Sequence, residues 1–391
     1  MKSVTTDRHY RMRVITSLSD IGKEVWSQLL LTAKCDDPFL QYAFLDALHQ
    51  SGSATPETGW QEQHITIWDG RELVAACLMY SKSHSYGEYV FDWAWARAYQ
   101  QHQLDYYPKL LSAVPFSPIP GPRLLAADAR TLHMLLAALR QLCESGSYSS
   151  CHILFLPEMQ QEALAQAGFL SRQGIQFHWR NQDYQSFDDF LLTLDKKRRK
   201  NIRSERKKVQ ERGFQFQHLK GNELQEAHWL FFKRCYDLTY RNHHSSPYLN
   251  LDFFLRLGAQ MPTALHMVIA SLEEQPVAAA LFLRSEHRLY GRYWGCVEEH
   301  PCLHFETAYY QGLDLCIREG IQWFEGGAQG EHKLARGFQP ETTHSAHYIH
   351  HPGFRDAIQD FLHREAKEMQ EYRQVLLQHQ AYRHFPDQEA E

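Results

Sequence analysis

Two stretches of this chain, about two hundred residues apart, are built alike. HITIWDGRELVAACLMY begins at His64 and HMVIASLEEQPVAAALFL begins at His266. Each is a β-prone run, a polar turn and a second β-prone run carrying V-A-A-(C/A)-L. The first turn is built on Asp69-Gly70, a strong hairpin signal; the second sets Pro276 beside Glu273 and Glu274. Tyr106-Tyr107-Pro-Lys-Leu parallels Tyr309-Tyr310-Gln-Gly-Leu at nearly the same offset, and Ala167-Gly168-Phe169 and Arg336-Gly337-Phe338 each precede a last strand, IQFHWR and SAHYIH. Three correspondences in one order imply two copies of an α/β module. The boundaries expected are 10–182 for the first copy and 183–352 for the second, with a terminal helix and tail at 353–391. A chain of 391 residues is long for one core, which agrees with two.

In the first copy, helices are expected over 20–33 and 39–49, then the hairpin, a proline-rich loop (VPFSPIPGPRLL), an amphipathic helix over 131–144, the buried strand CHILFLP and a short helix over 158–167 ended by Gly168. The second opens on Ser186, with Asp189 three residues on, in a capping-box pattern. A polar amphipathic helix is expected over 354–382.

Composition removes several classes. The net charge of -5 favours neither nucleic acid nor membrane, and no apolar run is long enough to span a bilayer. The N-terminal segment lacks the apolar centre of a signal peptide. Eight cysteines without a C-x-x-C pair suit reduced thiols, so a cytoplasmic protein is expected. GxSxG, GxxxxGK[ST] and post-strand GxGxxG motifs are missing. His344, His347 and His350 are spaced by three, which in a β segment alternates faces, so no metal site is expected.

The densest chemistry lies in 290–340. LYGRYWGC reads as a strand, and Pro301 breaks the turn after it. Phe305, Tyr309, Leu313, Cys316 and Ile317 recur at helical spacing until Gly320, and IQWF is a short strand. Gly326, Gly327, Gln329, Gly330, Glu331, His332 and Lys333 follow at its end, where open α/β sheets bind ligands. Polar groups without a redox centre or an obvious nucleophile suit transfer between two bound substrates. Acyl transfer to an amine needs a base, oxyanion stabilisation and a donor and acceptor held together. Glu325, Glu331, Glu306 and His332 are candidates for deprotonating or positioning the amine. Lys333, Arg336 and the backbone N–H groups of 326–330 are candidates to meet oxyanion or phosphate charge. Arg292, Tyr293, Trp294 and Tyr309 would line the pocket. Each has a plain structural alternative: an ion pair for Glu306, core packing for Tyr309, a turn for the glycines.

The segment 194–213, LDKKRRKNIRSERKKVQERG, carries ten Lys or Arg residues against three acids. Leu194, Ile202 and Val209 give it a narrow apolar seam. Lys196, Lys197, Arg198, Arg199, Lys200 and Arg203 form either a ridge for an anionic donor or acceptor or a solvated face with pairs such as Glu205 with Lys208 and Arg206 with Glu211. Helix-turn-helix, zinc-finger and stacking patterns are missing, so DNA is not an expected partner.

VAAAL, LYGRYWG, LHFETAYYQGL, GAQGEHKLARGF and KKRRKNIRSER, with DDPFLQYAFLDAL, YVFDWAWARAY and YYPKLLSAVPFSPIPGPRLL before them, together resemble the predicted N-acyltransferases related to the Fem peptidyltransferases, within the GNAT superfamily. The resemblance covers most of the chain. It implies tandem GNAT-like modules, each a mixed, mostly antiparallel sheet flanked by helices, and an N-acyltransferase moving an acyl or aminoacyl group to a small-molecule or peptide amine. It implies no tightly bound cofactor, with acyl-CoA or aminoacyl-tRNA as co-substrate; the Fem relatives use aminoacyl-tRNA on a peptidoglycan precursor. One departure bears on the donor. The R/Q-x-x-G-x-G/A loop that grips acyl-CoA pyrophosphate begins here as Arg292-Tyr-Trp-Gly295-Cys-Val297, but lacks the last small residue and is followed by Glu298 and Glu299. Three functions stay open: an acyltransferase, a tRNA-dependent peptidyltransferase, and a non-catalytic module binding a nucleotide-linked or tRNA ligand. The oligomeric state is not readable from the sequence.

Overall fold

Apolar alternation and turn chemistry build two sets of strands, which a computed structural model describes over residues 9–327 and 330–383. The chain divides into two compact units, 1–174 with 343–369 and 175–342 with 370–391. The first unit opens with β1 (Tyr10–Ile15), α1 (Lys23–Thr32) and α2 (Tyr42–Gln50), followed by β2 (Trp60–Glu62). The hairpin β3 (His64–Asp69) and β4 (Glu72–Cys77) turns on Asp69-Gly70 as expected. Next come β5 (Tyr80–Lys82), α3 (Trp93–Gln101), β6 (Lys109–Ser112), β7 (Leu125–Ala126), α4 (Ala129–Glu144), β8 (Ser150–Leu156) and α5 (Glu158–Gln166). Strands β1, β3, β4 and β7 form one antiparallel sheet in that order. In a second ladder β2 pairs with β5, β5 with β6, and β6 runs parallel to β8. Ile65, Ile67, Leu135, Leu139, Ile153 and Leu164 fill the core between sheet and helices.

The chain leaves this unit along β9 (Leu170–Arg180), directly after Gly168-Phe169. The second unit continues with α6 (Phe187–Thr193), where Ser186 accepts from the Asp189 N–H as the capping pattern foretold. Then follow α7 (Lys196–Glu211), β10 (Gln215–Lys220), α8 (Glu226–Asn242), α9 (Leu251–Gln260), β11 (Leu265–Leu272), β12 (Gln275–Arg284) and β13 (Arg288–Cys296). The β11–β12 turn is Glu273-Glu274, with φ of 48° and 64°, the left-handed pair a two-residue hairpin needs; Pro276 falls inside β12. One continuous helical run joins α10 (Leu303–Phe305), a π-helical turn (Glu306–Tyr310) and α11 (Gln311–Glu319). After it come β14 (Trp323–Glu325) and a 3-10 helix (Glu331–Arg336). Strands β10 to β13 are antiparallel neighbours, β13 and β14 run parallel, and β14 pairs antiparallel with β9. Finally β15 (Gln339–Ile349) follows Gly337-Phe338 and pairs with β8, and α12 (Pro352–Gln378) closes the described chain.

The larger of the two sheets is mixed, antiparallel with parallel pairs at β6–β8 and β13–β14, and is flanked by helices. One detail of the repeat is corrected: Tyr106 and Tyr107 precede β6 in a non-helical segment, whereas Tyr309 and Tyr310 sit in the π-helical turn, so they are not equivalent positions. The eight cysteines are free thiols. Among the described residues no helix is long and apolar enough to cross a membrane.

Strand β13 lies close enough to α8 that a Cβ on Gly295 would come within 2.2 Å of the Cys235 carbonyl oxygen. Gly295→Ala is expected to lower stability by about 1–3 kcal/mol through overpacking; an unchanged denaturation midpoint would show that the two elements can separate at no cost.

Candidate active site

Gly291, in the middle of β13, is where the second unit's sheet stops being regular. The β12–β13 register slips between Leu281 and Phe282, which leaves Arg292 as the extra residue of a bulge. The parallel β13–β14 ladder ends at Tyr290–Glu325, while β13 runs on to Cys296. The two strands part at that point. A cavity of about 380 Å³ opens at the fork, lined by Arg292, Tyr293 and Trp294 on one side and by Gly326 and Gly327 on the other. Glycine is required at 326 because a Cβ there would meet the Phe338 ring at 2.8 Å, and at 327 because φ is 87°.

The π-helical turn supplies the third wall. His304 and Tyr309 are five residues apart and would diverge on an α-helix. The wider turn brings their rings to 5.3 Å, and both line the cavity. The His304 ring packs on Trp294 at 4.6 Å. The Tyr309 hydroxyl meets His332 Nε2 at 3.1 Å. Burial pushes the Tyr309 phenol up to about 12, so it stays protonated, and drives His304 down to about 4, so its imidazole is neutral. His332 is lowered by burial, then by the positive charges of Lys333 and Arg336. Lys333 is 1% exposed, and its Nζ donates to the Gly327 carbonyl at 2.8 Å. Burial lowers its ammonium to about 7, which makes it a group that gains or loses charge near neutrality.

The other expected residues are near this cavity but engaged elsewhere. Glu325 is buried and its Oε1 accepts from Arg288 at 2.8 Å. Glu306, raised by burial, accepts from Arg206 at 3.1 Å and from Gln311 at 2.7 Å. Glu331 accepts from the Tyr372 hydroxyl at 2.5 Å. The Arg336 guanidinium lies 3.4 Å from the Phe305 ring centroid and donates to both carboxylate oxygens of Glu205, at 2.8 and 2.9 Å. Gly330, with φ of 111°, starts the 3-10 helix. Gln329 lies outside the described residues.

The basic segment is helical over Lys196–Glu211 and capped by Asp195. Ile202 and Val209 are buried, as the apolar seam implied. Lys196, Lys197, Lys200 and Arg203 are exposed, and Arg198 and Arg199 half-buried. Arg203 pairs with Asp188 at 2.8 Å. Both expected intrahelical pairs are corrected. Glu205 turns inward to Arg336, and Arg206 to Glu306 and Asp314, because each finds a better-buried partner than a solvated neighbour on its own helix. Lys207 pairs with Glu211 instead.

Sequence reasoning missed His304, Thr239 and His243, which also line the cavity. His304 is hidden from an α-helical reading by the π turn. Thr239 and His243 come from α8, far away in sequence, where Thr239 Oγ1 donates to the Trp294 carbonyl at 3.1 Å.

A family model described as peptidoglycan biosynthesis/recognition matches residues 17–384. The chain belongs to the FemAB-like family. Among solved structures, the FemAB-like chain is similar to FemX, with a TM-score of 0.55 and 11% identity over 89% of this chain and 100% of that one. It is also similar to the C-terminal domain of a putative lysylphosphatidylglycerol synthetase from Agrobacterium fabrum, with a TM-score of 0.53 and 9% identity over 86% and 93% of the two chains. At these identities the likeness is one of fold. No curated protein matches the chain. FemAB-like membership is consistent with acyltransferase-type chemistry.

Proposed function

We propose that this protein is an N-acyltransferase that moves an acyl or aminoacyl group from an activated donor to an amine at the β13–β14 fork. The observation that carries the reading is the fork itself: a parallel strand pair that parts beside a protonated tyrosine, a neutral histidine and a buried lysine. The donor carbonyl sits in the opening. The acceptor amine attacks it, forming the C–N bond, and the charged form of Lys333 stabilises the developing oxyanion. The amine proton passes through the Tyr309 hydroxyl to His332 Nε2. It then returns the same way to the oxygen or sulfur released as the donor bond breaks. Glu325 and Glu331, held by Arg288 and Tyr372, serve to fix the loop rather than to take the proton. The two units are read as two copies of one module, with the chemistry in the second.

The exposed face of α7 favours an aminoacyl-tRNA donor over acyl-CoA. Its first turn carries no acid, and Lys196, Lys197 and Lys200 crowd the positive end of the helix dipole, an arrangement a polyanion relieves. A peptide of peptidoglycan type is the acceptor this donor suggests. Titration with charged tRNA and, separately, acetyl-CoA at two salt concentrations tests the choice. Charged tRNA is expected to bind about a hundredfold more weakly at 200 mM than at 50 mM salt. Replacing Lys196, Lys197 and Lys200 by glutamine should cost at least about tenfold. Saturable acetyl-CoA binding with no tRNA binding would reverse the assignment of the donor.

A further inference from the structure

Helix α7 presents two faces with different partners. Lys196, Lys200, Arg203 and Lys207 recur along one exposed stripe. Ile202, Glu205, Arg206 and Val209 face inward, and the two charged members reach the elements that carry Tyr309 and His332. Arg206 donates to Glu306, the first residue of the π-helical turn, and to Asp314 one turn beyond its end. Glu205 accepts from the Tyr310 hydroxyl, next to Tyr309. The same carboxylate takes both bonds from Arg336, whose other terminal nitrogen donates to the His332 carbonyl at 2.7 Å. A short path therefore runs from α7 through Glu205 and Arg336 to the backbone of His332, and a second from Glu205 to Tyr310 beside Tyr309.

We propose that Glu205 is a positioning residue that couples the basic face of α7 to the Tyr309–His332 pair, so that RNA seated on Lys196, Lys197 and Lys200 sets the orientation of His332. This rests on the acyl-transfer reading of the fork. Arg336 is 5% exposed, and a guanidinium so buried needs a counter-charge. Glu205 is that charge, and it is carried by the helix that would meet the RNA. A small shift of α7 must move Arg336 or break its paired bonds, and Arg336 holds His332 directly. Coupling through one packed, two-partner carboxylate needs no larger rearrangement.

His332 is faced by Lys333 and Arg336 on its own helix, by His304 and Tyr309 from the helical run, and by Glu205 through Arg336, while the neighbouring Glu331 is held by Tyr372 of α12. Removing the Glu205 charge leaves Arg336 uncompensated and lowers the His332 titration further. The test is a histidine-selective NMR titration of the full chain, wild type and Glu205→Gln, with and without deacylated tRNA. In the wild type the tRNA is expected to shift the His332 signals. In Glu205→Gln the tRNA should bind within about twofold of wild type, since the exposed lysines are intact. His332 should titrate lower and no longer respond. With charged tRNA, kcat is expected to fall about tenfold while KM is kept. Glu205→Asp should restore part of the response. If Glu205→Gln does not fold, the Lys196→Gln, Lys197→Gln, Lys200→Gln variant decides: it should bind tRNA weakly while His332 of the free protein titrates as in wild type. A full His332 response in Glu205→Gln, or none in saturated wild type, overturns the coupling. A wild-type response without any acylated product would leave the coupling in place and overturn the acyl-transfer reading alone.

Discussion

Lys109→Met is expected to destabilise the protein by about 3–5 kcal/mol, the cost of removing one partner from a buried ion cluster. Lys109 is completely buried in the first unit and donates to Glu88 at 2.7 Å, to Ser85 at 2.8 Å and to Asp92. Burial opposes its charge, but the two carboxylates more than restore it and raise its ammonium above the ordinary value. Burial likewise works against Asp92, yet Lys109 and the Tyr106 hydroxyl at 2.6 Å hold it ionised, while Glu88 is pushed up to about 7. Without the lysine, the two buried carboxyl groups are left with Lys82 alone, whose own ammonium burial lowers to about 7. Urea unfolding of Lys109→Met reads the loss. The triple variant Lys109→Met, Glu88→Gln, Asp92→Asn should recover a substantial part of it, because the two carboxylates are then no longer stranded. A triple variant no more stable than the single one would mean that the cluster holds the fold by shape and not by charge.

Lys333→Met is expected to move stability and activity in opposite directions. The folded lysine gives up its proton near 7, whereas in the unfolded chain it holds it to its ordinary 10.5. Between those values the unfolded state binds more protons, so stability rises with pH from about 7 to 10.5 and is lowest below 7. Methionine removes this dependence. At pH 6 the variant should be more stable than wild type by on the order of 2–4 kcal/mol, with the advantage fading towards pH 10. Turnover with charged tRNA should fall about 10²–10³-fold, the usual loss when a group that meets an oxyanion is removed. Thermal unfolding at pH 6, 8 and 10, with single-turnover assays, checks both halves. A variant that is less stable at every pH would show that Lys333 is there to hold Gly327. Normal turnover would remove it from the chemistry.

Most secondary structure was legible because local signals agreed with the final packing. Asp69-Gly70 makes the first hairpin, Ser186 caps α6, and Gly320 ends α11 with φ of 67°. The place of the candidate site was legible for a related reason. Gly326, Gly327 and the ionisable residues after them are more than a strand end needs, and the structure puts the glycines at the mouth of a cavity.

Partner choice was not legible. The positions of Glu205 and Arg206 on α7 were visible in the sequence, but their partners Arg336 and Glu306 lie more than a hundred residues away in one case and a hundred in the other. A buried distant partner wins over an exposed near one, and only packing says which distant partner is within reach. The π-helical turn is the same kind of case. The segment 303–319 has the apolar period of an ordinary helix, which sets His304 and Tyr309 on different faces, and only the wider turn brings the two rings together. Local chemistry along the chain thus determined the elements, their caps and the family resemblance. Tertiary structure alone decided where β13 leaves β14 and which charges neutralise one another, because both depend on contacts between residues that no local pattern relates.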